Sequence, residues 1–240
     1  MEKVNSYQHF ALIYDALFLA LGKDYQTEAE KIDKLIIEHK KSTGNGLLDL
    51  GCGTGEHIKY LKTNYAITGM DSSDEMLLIA RQKNPDISLI KANMLDFQFK
   101  NKFDVIICLF SAIGYLLTKR SLEKVIKNAS LHLNDGGVFI VEPWYSPEEI
   151  NSYLDLVEFG EKQGIKACRM RETKIERNIA KTKGHILVSQ NGRVTHLITK
   201  HKFGLFSKKD FADAFTKNGF TCSLEHDLYG RGLYIGVKDV

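Results

Sequence analysis

The residues best suited to chemistry lie in Leu48-Asp49-Leu50-Gly51-Cys52-Gly53-Thr54-Gly55, a glycine-rich turn between an apolar run and a helix-period segment. Glycines at alternate positions allow a tight turn and let backbone approach a ligand closely. In an open α/β sheet, such a strand-to-helix turn is where ligands bind. A dinucleotide fingerprint, G-x-G-x-x-G, would want its third glycine where this chain has Glu56. A carboxylate at the mouth of that helix disfavours a pyrophosphate, which helix N-termini otherwise attract. Asp49, two residues before Gly51, adds a second negative charge. The pattern fits a ligand with a positive centre and no phosphate better than it fits NAD.

Further residues describe the rest of such a ligand. Asp71 ends the next apolar run, twenty residues after Gly51, where a carboxylate can accept hydrogen bonds from two ribose hydroxyls. Ser72-Ser73 caps the following helix, and Met76 in its first turn can lie against an adenine face. Asn93-Met94 follows a third strand, offering a side-chain oxygen to the adenine amino group and a backbone N–H to a ring nitrogen. The set reads as an adenosine site with a cationic tail. Other residues carry two readings each. Tyr115, beside Gly114 at a strand end, lines a cleft or merely packs. Trp144, the only tryptophan, walls an acceptor site or fills core. Arg231, between Gly230 and Gly232, has a clear path to a phosphate or makes a surface ion pair. His132 ends a helix and favours its C-terminal dipole. His196 and His201 have no cysteine or acid at ligand spacing, so no metal is expected.

These residues need a scaffold, and from Gly46 onward short apolar runs alternate with helix-period segments. Strands are expected at Leu47–Leu50, Ala66–Met70, Ile87–Lys91, Val105–Phe110 and Val138–Val141, the last after a turn at Asn134-Asp135-Gly136-Gly137. Helices are expected around Ile58–Leu61 and Ser73–Lys83, and through Leu122, Val125, Ile126 and Ala129, which recur at i, i+3, i+4, i+7. This alternation argues for an α/β fold with a doubly wound, mostly parallel sheet. From about Lys166 to Phe203 the texture becomes antiparallel, with a turn at Asn191-Gly192. A last helix (Ser207–Asn218) and a strand (Leu233–Val237) close the sheet. The expected organisation is an N-terminal helical segment over the site (1–42), a binding core (43–145), an antiparallel β lid insertion (146–205), and a helix and strands completing the sheet (206–240).

The chain has 240 residues, 43% hydrophobic and 26% charged, with a net charge of +3. That is globular composition, long enough for one cored domain with an embellishment. Basic residues interleave with acids, so no stripe predicts nucleic-acid binding. Cys52, Cys108, Cys168 and Cys222 lie far apart, which predicts reduced thiols and the cytoplasm. The apolar run Phe10–Leu21 contains Tyr14 and Asp15 and is too short to span a bilayer, so it reads as an amphipathic helix and no membrane partner is expected.

The glycine loop, the ribose acid Asp71 and the Asn93-Met94 pair, in this order, resemble the class I S-adenosylmethionine (SAM)-dependent methyltransferases. Many members carry Asp where this chain has Asn93. The resemblance extends over nearly the whole chain to N,N-dimethyltransferases of nucleotide-linked amino sugars, of the dTDP-desosamine type. It rests on Tyr14-Asp15-Ala16-Leu17-Phe18, Gly22-Lys23-Asp24-Tyr25, Leu109-Phe110-Ser111-Ala112-Ile113-Gly114-Tyr115, Val141-Glu142-Pro143-Trp144, His196-Leu197-Ile198-Thr199 and Gly230-Arg231-Gly232-Leu233. It implies a seven-stranded sheet and SAM held by Tyr25, Asp49, Gly51, Cys52, Gly53, Gly55, Asp71, Met76, Asn93, Met94 and Leu109. It also implies an acceptor site at Tyr14, Tyr115, Glu142, Trp144 and Arg231, with Tyr14 beside the methyl donor and His185 as a second catalytic candidate. A homodimer is implied as well. The lid sequence between Ser146 and Arg193 departs from those enzymes, so other expectations remain open. They are a methyltransferase of another small amine or hydroxyl, a SAM-binding protein without turnover, and an NAD-dependent oxidoreductase, which Glu56 argues against.

Overall fold

The structure, a computed structural model, describes residues 6–153, 155–225 and 231–240, with the side chains at 6–9 and 152–153 excepted. Gly230 of the Gly-Arg-Gly run lies outside the described residues. Two helices open the chain, α1 (Ser6–Ala20) and α2 (Tyr25–His39). Five strands and three helices then alternate: β1 (Gly46–Leu50), α3 (Glu56–Leu61), β2 (Ala66–Asp71), α4 (Asp74–Lys83), β3 (Ser88–Lys91), β4 (Phe103–Cys108), α5 (Lys119–His132) and β5 (Leu133–Val141). The lid follows as β6 (Asp155–Lys162), β7 (Ile165–Glu176), β8 (Ile179–Gln190) and β9 (Arg193–Gly204). The chain ends with α6 (Lys208–Lys217), β10 (Phe220–Glu225) and β11 (Leu233–Lys238).

Seven strands form one sheet in the order β10-β11-β5-β4-β1-β2-β3. Only β11 runs against its neighbours, β5 and β10. Winding starts at β1, moves outward to β3 and returns to β4 on the other side, so the switch point lies between β1 and β4, at the glycine loop. Such central strands are covered on both faces, which is why they read as continuous apolar runs. On one face Leu122, Val125 and Ile126 of α5 and Phe211 and Phe215 of α6 pack on Leu48, Ile106 and Phe139. On the other, Ile32, Leu35 and Ile36 of α2 and Ile58 and Leu61 of α3 pack on Leu47, Val105 and Ile140.

Strand β5 begins earlier than expected, at Leu133, and Asn134–Gly137 is a bulge inside it: Leu133 pairs with Phe103, and Val138 with Val105. Gly136 holds φ +72°, and its carbonyl accepts from Lys41 and Ser42. His132 does more than end α5. Its Nδ1 donates to the Asn128 carbonyl (2.8 Å) while Nε2 accepts from the Phe99 N–H (3.1 Å), so it works as a neutral buried link rather than as a charge on the dipole.

The lid is a four-stranded antiparallel meander, whose first strand, β6, precedes the antiparallel texture expected from about Lys166. Its first and last hairpins turn through Gln163-Gly164 and Asn191-Gly192, with φ positive at both residues of each pair, as two-residue primed turns require. Helix α1 is sandwiched beneath the lid: Phe10, Ala11, Leu17 and Ala20 pack on Ile165, Ala167, Ile186, Val188 and Leu197. The approach is so close that a Cβ at Gly160 would collide with the Ala20 carbonyl. Among the described residues, no helix is long and apolar enough to cross a membrane.

Candidate active site

Between the ends of β1, β2 and β4, helix α1 and the inner face of the lid lies a cavity of about 640 Å³. Its floor is the glycine loop, where Gly51, Gly53 and Gly55 hold φ of +79°, +54° and +74°, values that side chains resist. Gly51 also has no room to spare, because a Cβ there would stand 2.8 Å from that of Ala112. Asp71 fixes the loop from the next strand. Its two carboxylate oxygens accept the N–H groups of Gly53 (2.9 Å) and Ser73 (2.9 Å). Each oxygen keeps a second lone pair, and Asp71 lines the cavity. Burial raises its pKa, with the Ser73 and Gly53 amides opposing.

Ser73 caps α4 by accepting from the Met76 N–H (3.2 Å), which sets Met76 against the cavity beside Asn93, Met94 and Leu109. The Asn93 side-chain oxygen already accepts from the Leu95 N–H (2.9 Å), so it reads a ligand only through its remaining lone pair. Behind the loop Asp49 is buried, and burial pushes its pKa up to about 7, with His57 opposing and Asp71 adding to the rise. The buried Tyr25 hydroxyl has no hydrogen-bond partner. A cationic amino-acid tail would answer both deficits, supplying positive charge near Asp49 and an acceptor for Tyr25.

The roof brings several expected acceptor residues together. Tyr14 lines the cavity from α1, its ring 4.8 Å from that of Phe18. Trp144 forms a wall, stacked at 4.3 Å on Phe203, and Gly114 admits it, since a Cβ there would lie 2.9 Å from the Trp144 Cβ. The hydroxyl of Tyr115, at the rim, meets His201 Nδ1 at 3.1 Å. Burial, with Arg169 and Arg171 adding to it, pulls His201 down to about 4, so the imidazole is neutral near pH 7.

Several expected roles change. His185 does not reach the cavity: Thr182, Gly184 and Ile186 of β8 line it, and His185 lies on the opposite face, stacked on His196 at 5.7 Å. The lid histidine on the inner wall is His201. Glu142 is buried and spent on structure, with Oε2 accepting the Phe110 N–H (2.6 Å) and Oε1 paired to Arg231. That clamp holds Phe110 and Ser111, both at positive φ, beside the cavity. Arg231 lines the cavity, but its charge is met by Glu142, which weakens the phosphate role expected for it. Gly55 and Cys52 shape the loop from behind: a Cβ on Gly55 would meet Asn84 Nδ2 at 2.8 Å, and the Cys52 sulfur faces Gly69. Glu56 is paired to Lys83 (2.6 Å), which also binds Asp15, so its charge is not turned freely on the ligand.

Four further charged residues of the cavity escaped the sequence reading: Lys23, Glu158, Arg169 and Arg171. Lys23 pairs with Glu28 at 2.5 Å and sits 3.8 Å over the Phe110 ring. Burial alone would raise Glu28, but His57 and Lys23 hold it down to about 2. Arg169 and Arg171 point the same way from β7, two residues apart, a strand period that could have betrayed them. Among the described residues no group of His, Cys, Asp and Glu converges as a metal site.

The sequence matches the methyltransferase domain family over residues 47–137. It is 33% identical to the dTDP-3-amino-3,4,6-trideoxy-α-D-glucopyranose N,N-dimethyltransferase of Streptomyces venezuelae, over 94% of this chain and 96% of that one. It is 32% identical to the dTDP-3-amino-3,6-dideoxy-α-D-glucopyranose N,N-dimethyltransferase of Streptomyces fradiae, over 95% and 90%. The crystal structure of Streptomyces venezuelae DesVI superposes with a TM-score of 0.89 at 31% identity, covering 99% of this chain and all of that one. By these matches the chain belongs to the class I SAM-dependent methyltransferases and is an enzyme that takes its methyl group from SAM.

Proposed function

We propose that the enzyme methylates the amine of a nucleotide-linked amino sugar, in one or two rounds. The observation that carries this is the whole-length similarity to two N,N-dimethyltransferases of dTDP-amino sugars. Asp71 takes the ribose hydroxyls, Met76, Asn93, Met94 and Leu109 surround the adenine, and Asp49 and Tyr25 meet the amino-acid end. Bound SAM supplies an electrophilic methyl group on a positive sulfur. What the chain adds is positioning. Tyr14, Trp144, Tyr115 and His201 hold the acceptor nitrogen in line and keep water out, the kind of contribution proximity alone can make large. A neutral His201 also spares an ammonium a like charge on its way in, and beside the positive sulfur the charged amine is disfavoured, so its proton passes to water at the cavity mouth.

The test is a mass-spectrometric assay with SAM, a dTDP-3-amino sugar and the same sugar without its nucleotide. One or two added methyl groups on the nucleotide-linked sugar, with a kcat/KM far above that of the free sugar, is the expected result. Equal turnover of both, or of neither, sinks the proposal.

Two further parts of this reading concern the assembly and its setting. The partner is a second copy of the chain, seated on the lid's outer face. The compartment is the reducing cytoplasm, a reading that the four free cysteines support.

A further inference from the structure

The lid wall of the cavity carries a cation that the reading above leaves unused. Arg169 is satisfied: its Nε donates to Glu158 (2.6 Å), and its Nη2 bonds the same carboxylate. Lys23 has Glu28, and Arg231 has Glu142. Arg171 has the Tyr145 hydroxyl as a hydrogen-bond neighbour, yet its Nε and Nη2 are buried with no acceptor. Burial, then Arg169, makes its charge harder to hold. Orphaned guanidinium donors are expensive to keep unless something periodically fills the place. Space for that occupant exists. Arg171 pairs across the sheet with Gly184, which presents no side chain, and both line the cavity. Thr182 and Thr199 line the same stretch of wall. An occupant that satisfies two donors of one guanidinium and offsets its charge is an anion with oxygens set for two-pronged contact.

We propose that Arg171 anchors the diphosphate of the acceptor, an inference that rests on the nucleotide-linked reading above. The loaded site then balances, with the cofactor's positive sulfur, the acceptor amine and Arg171 facing an anion delivered by the substrate itself. Arg231 is left to hold Glu142 and the Phe110 turn. The lid thereby selects nucleotide-linked sugars over free ones.

Calorimetric titration of the full chain saturated with S-adenosylhomocysteine tests this, with thymidine 5′-diphosphate, thymidine and inorganic pyrophosphate as probes. Thymidine diphosphate should bind the parent more tightly than thymidine. Arg171→Met should weaken thymidine diphosphate on the order of tenfold or more, leave thymidine unchanged, and be partly restored by Arg171→Lys. Undiminished thymidine diphosphate binding by Arg171→Met overturns the role of Arg171 while the nucleotide-linked reading survives. A parent that binds thymidine diphosphate no better than thymidine overturns both. Pyrophosphate binding as tightly as thymidine diphosphate makes the site one for a free anion and overturns the acceptor role. Should Arg171→Met fail to fold, the parent decides alone. Burial is the main cause that holds His201 down, with Arg169 and then Arg171 adding to it, so an anion on Arg171 should raise its NMR titration midpoint with thymidine diphosphate, and an unmoved midpoint overturns the inference.

Discussion

Asp71 illustrates how one residue serves loop and ligand together. Because its oxygens hold the Gly53 and Ser73 amides, Asp71→Ala strips support from the empty protein as well as from the bound one. SAM affinity should fall by roughly 1–3 kcal/mol, and the melting temperature without ligand should fall too. Asp71→Asn, which keeps one good acceptor, should lose less of both. Calorimetry and a thermal melt in parallel check this, and unchanged SAM affinity in the alanine variant removes Asp71 from the site. Asp49 adds a pH dependence of known sign. Burial raises its pKa in the folded chain to about 7, so the folded state holds a proton there that the unfolded state releases near its ordinary value. Its contribution to stability is therefore complete at acid pH and is lost as pH rises toward 7. A cationic ligand prefers the ionised form, so SAM binding should release a proton and tighten roughly tenfold from pH 6 to 8. Asp49→Asn should flatten that dependence, and calorimetry in buffers of different ionisation enthalpy measures the proton directly.

At the scale of elements, α1 joins the lid to the glycine loop and to α4. Asp15 accepts from Thr54 Oγ1 (2.6 Å) in the glycine loop and pairs with Lys83 on α4. Asp15→Asn should loosen this half-exposed bridge by roughly 1 kcal/mol or less. SAM should then leave several-fold faster in stopped flow, with hydrogen exchange rising along α1. Unchanged release assigns the covering role to apolar packing alone. The parallel core was legible because strands covered on both faces and helices covered on one leave different periods. Strand β6 was not legible, and Glu158 shows why: it points into the cavity to hold Arg169, while Val157 and Phe159 point outward, so the usual apolar-in alternation is inverted. The same ambiguity misassigned the lid histidine. Only strand parity decides that His201 faces in and His185 out, and no side-chain pattern fixes that parity beforehand. Glu142 and Arg231 were both named from the sequence, but the ion pair between them, joining the end of β5 to the start of β11 across 89 positions, leaves no local trace.

For the whole molecule, the outer face of the lid sets the expectation. Cross-strand register aligns two rows there, Val157–Met170–His185–Ile198 and Phe159–Cys168–Leu187–His196. Phe159 is 83% exposed and Val157 66%, and Met170, Leu187, Val194 and Ile198 join them in one exposed apolar face, the kind of patch that marks an interaction site. The adjoining row Asp155–Glu172–Lys183–Lys200 is acidic at one edge of the sheet and basic at the other. A two-fold axis along the strands sets β6 of one copy over β9 of the other, so acids meet lysines while the apolar rows stack. The adjacent basic row Lys174–Lys181–Lys202 marks the border, where twisted sheets diverge. Light scattering should therefore give twice the chain mass for the parent. Phe159→Glu, which puts a charge where the apolar rows of the two copies meet, should give a folded monomer with SAM affinity unchanged, because Phe159 points away from the cavity. A parent that runs as a monomer, or a Phe159→Glu dimer, removes the second copy from this face.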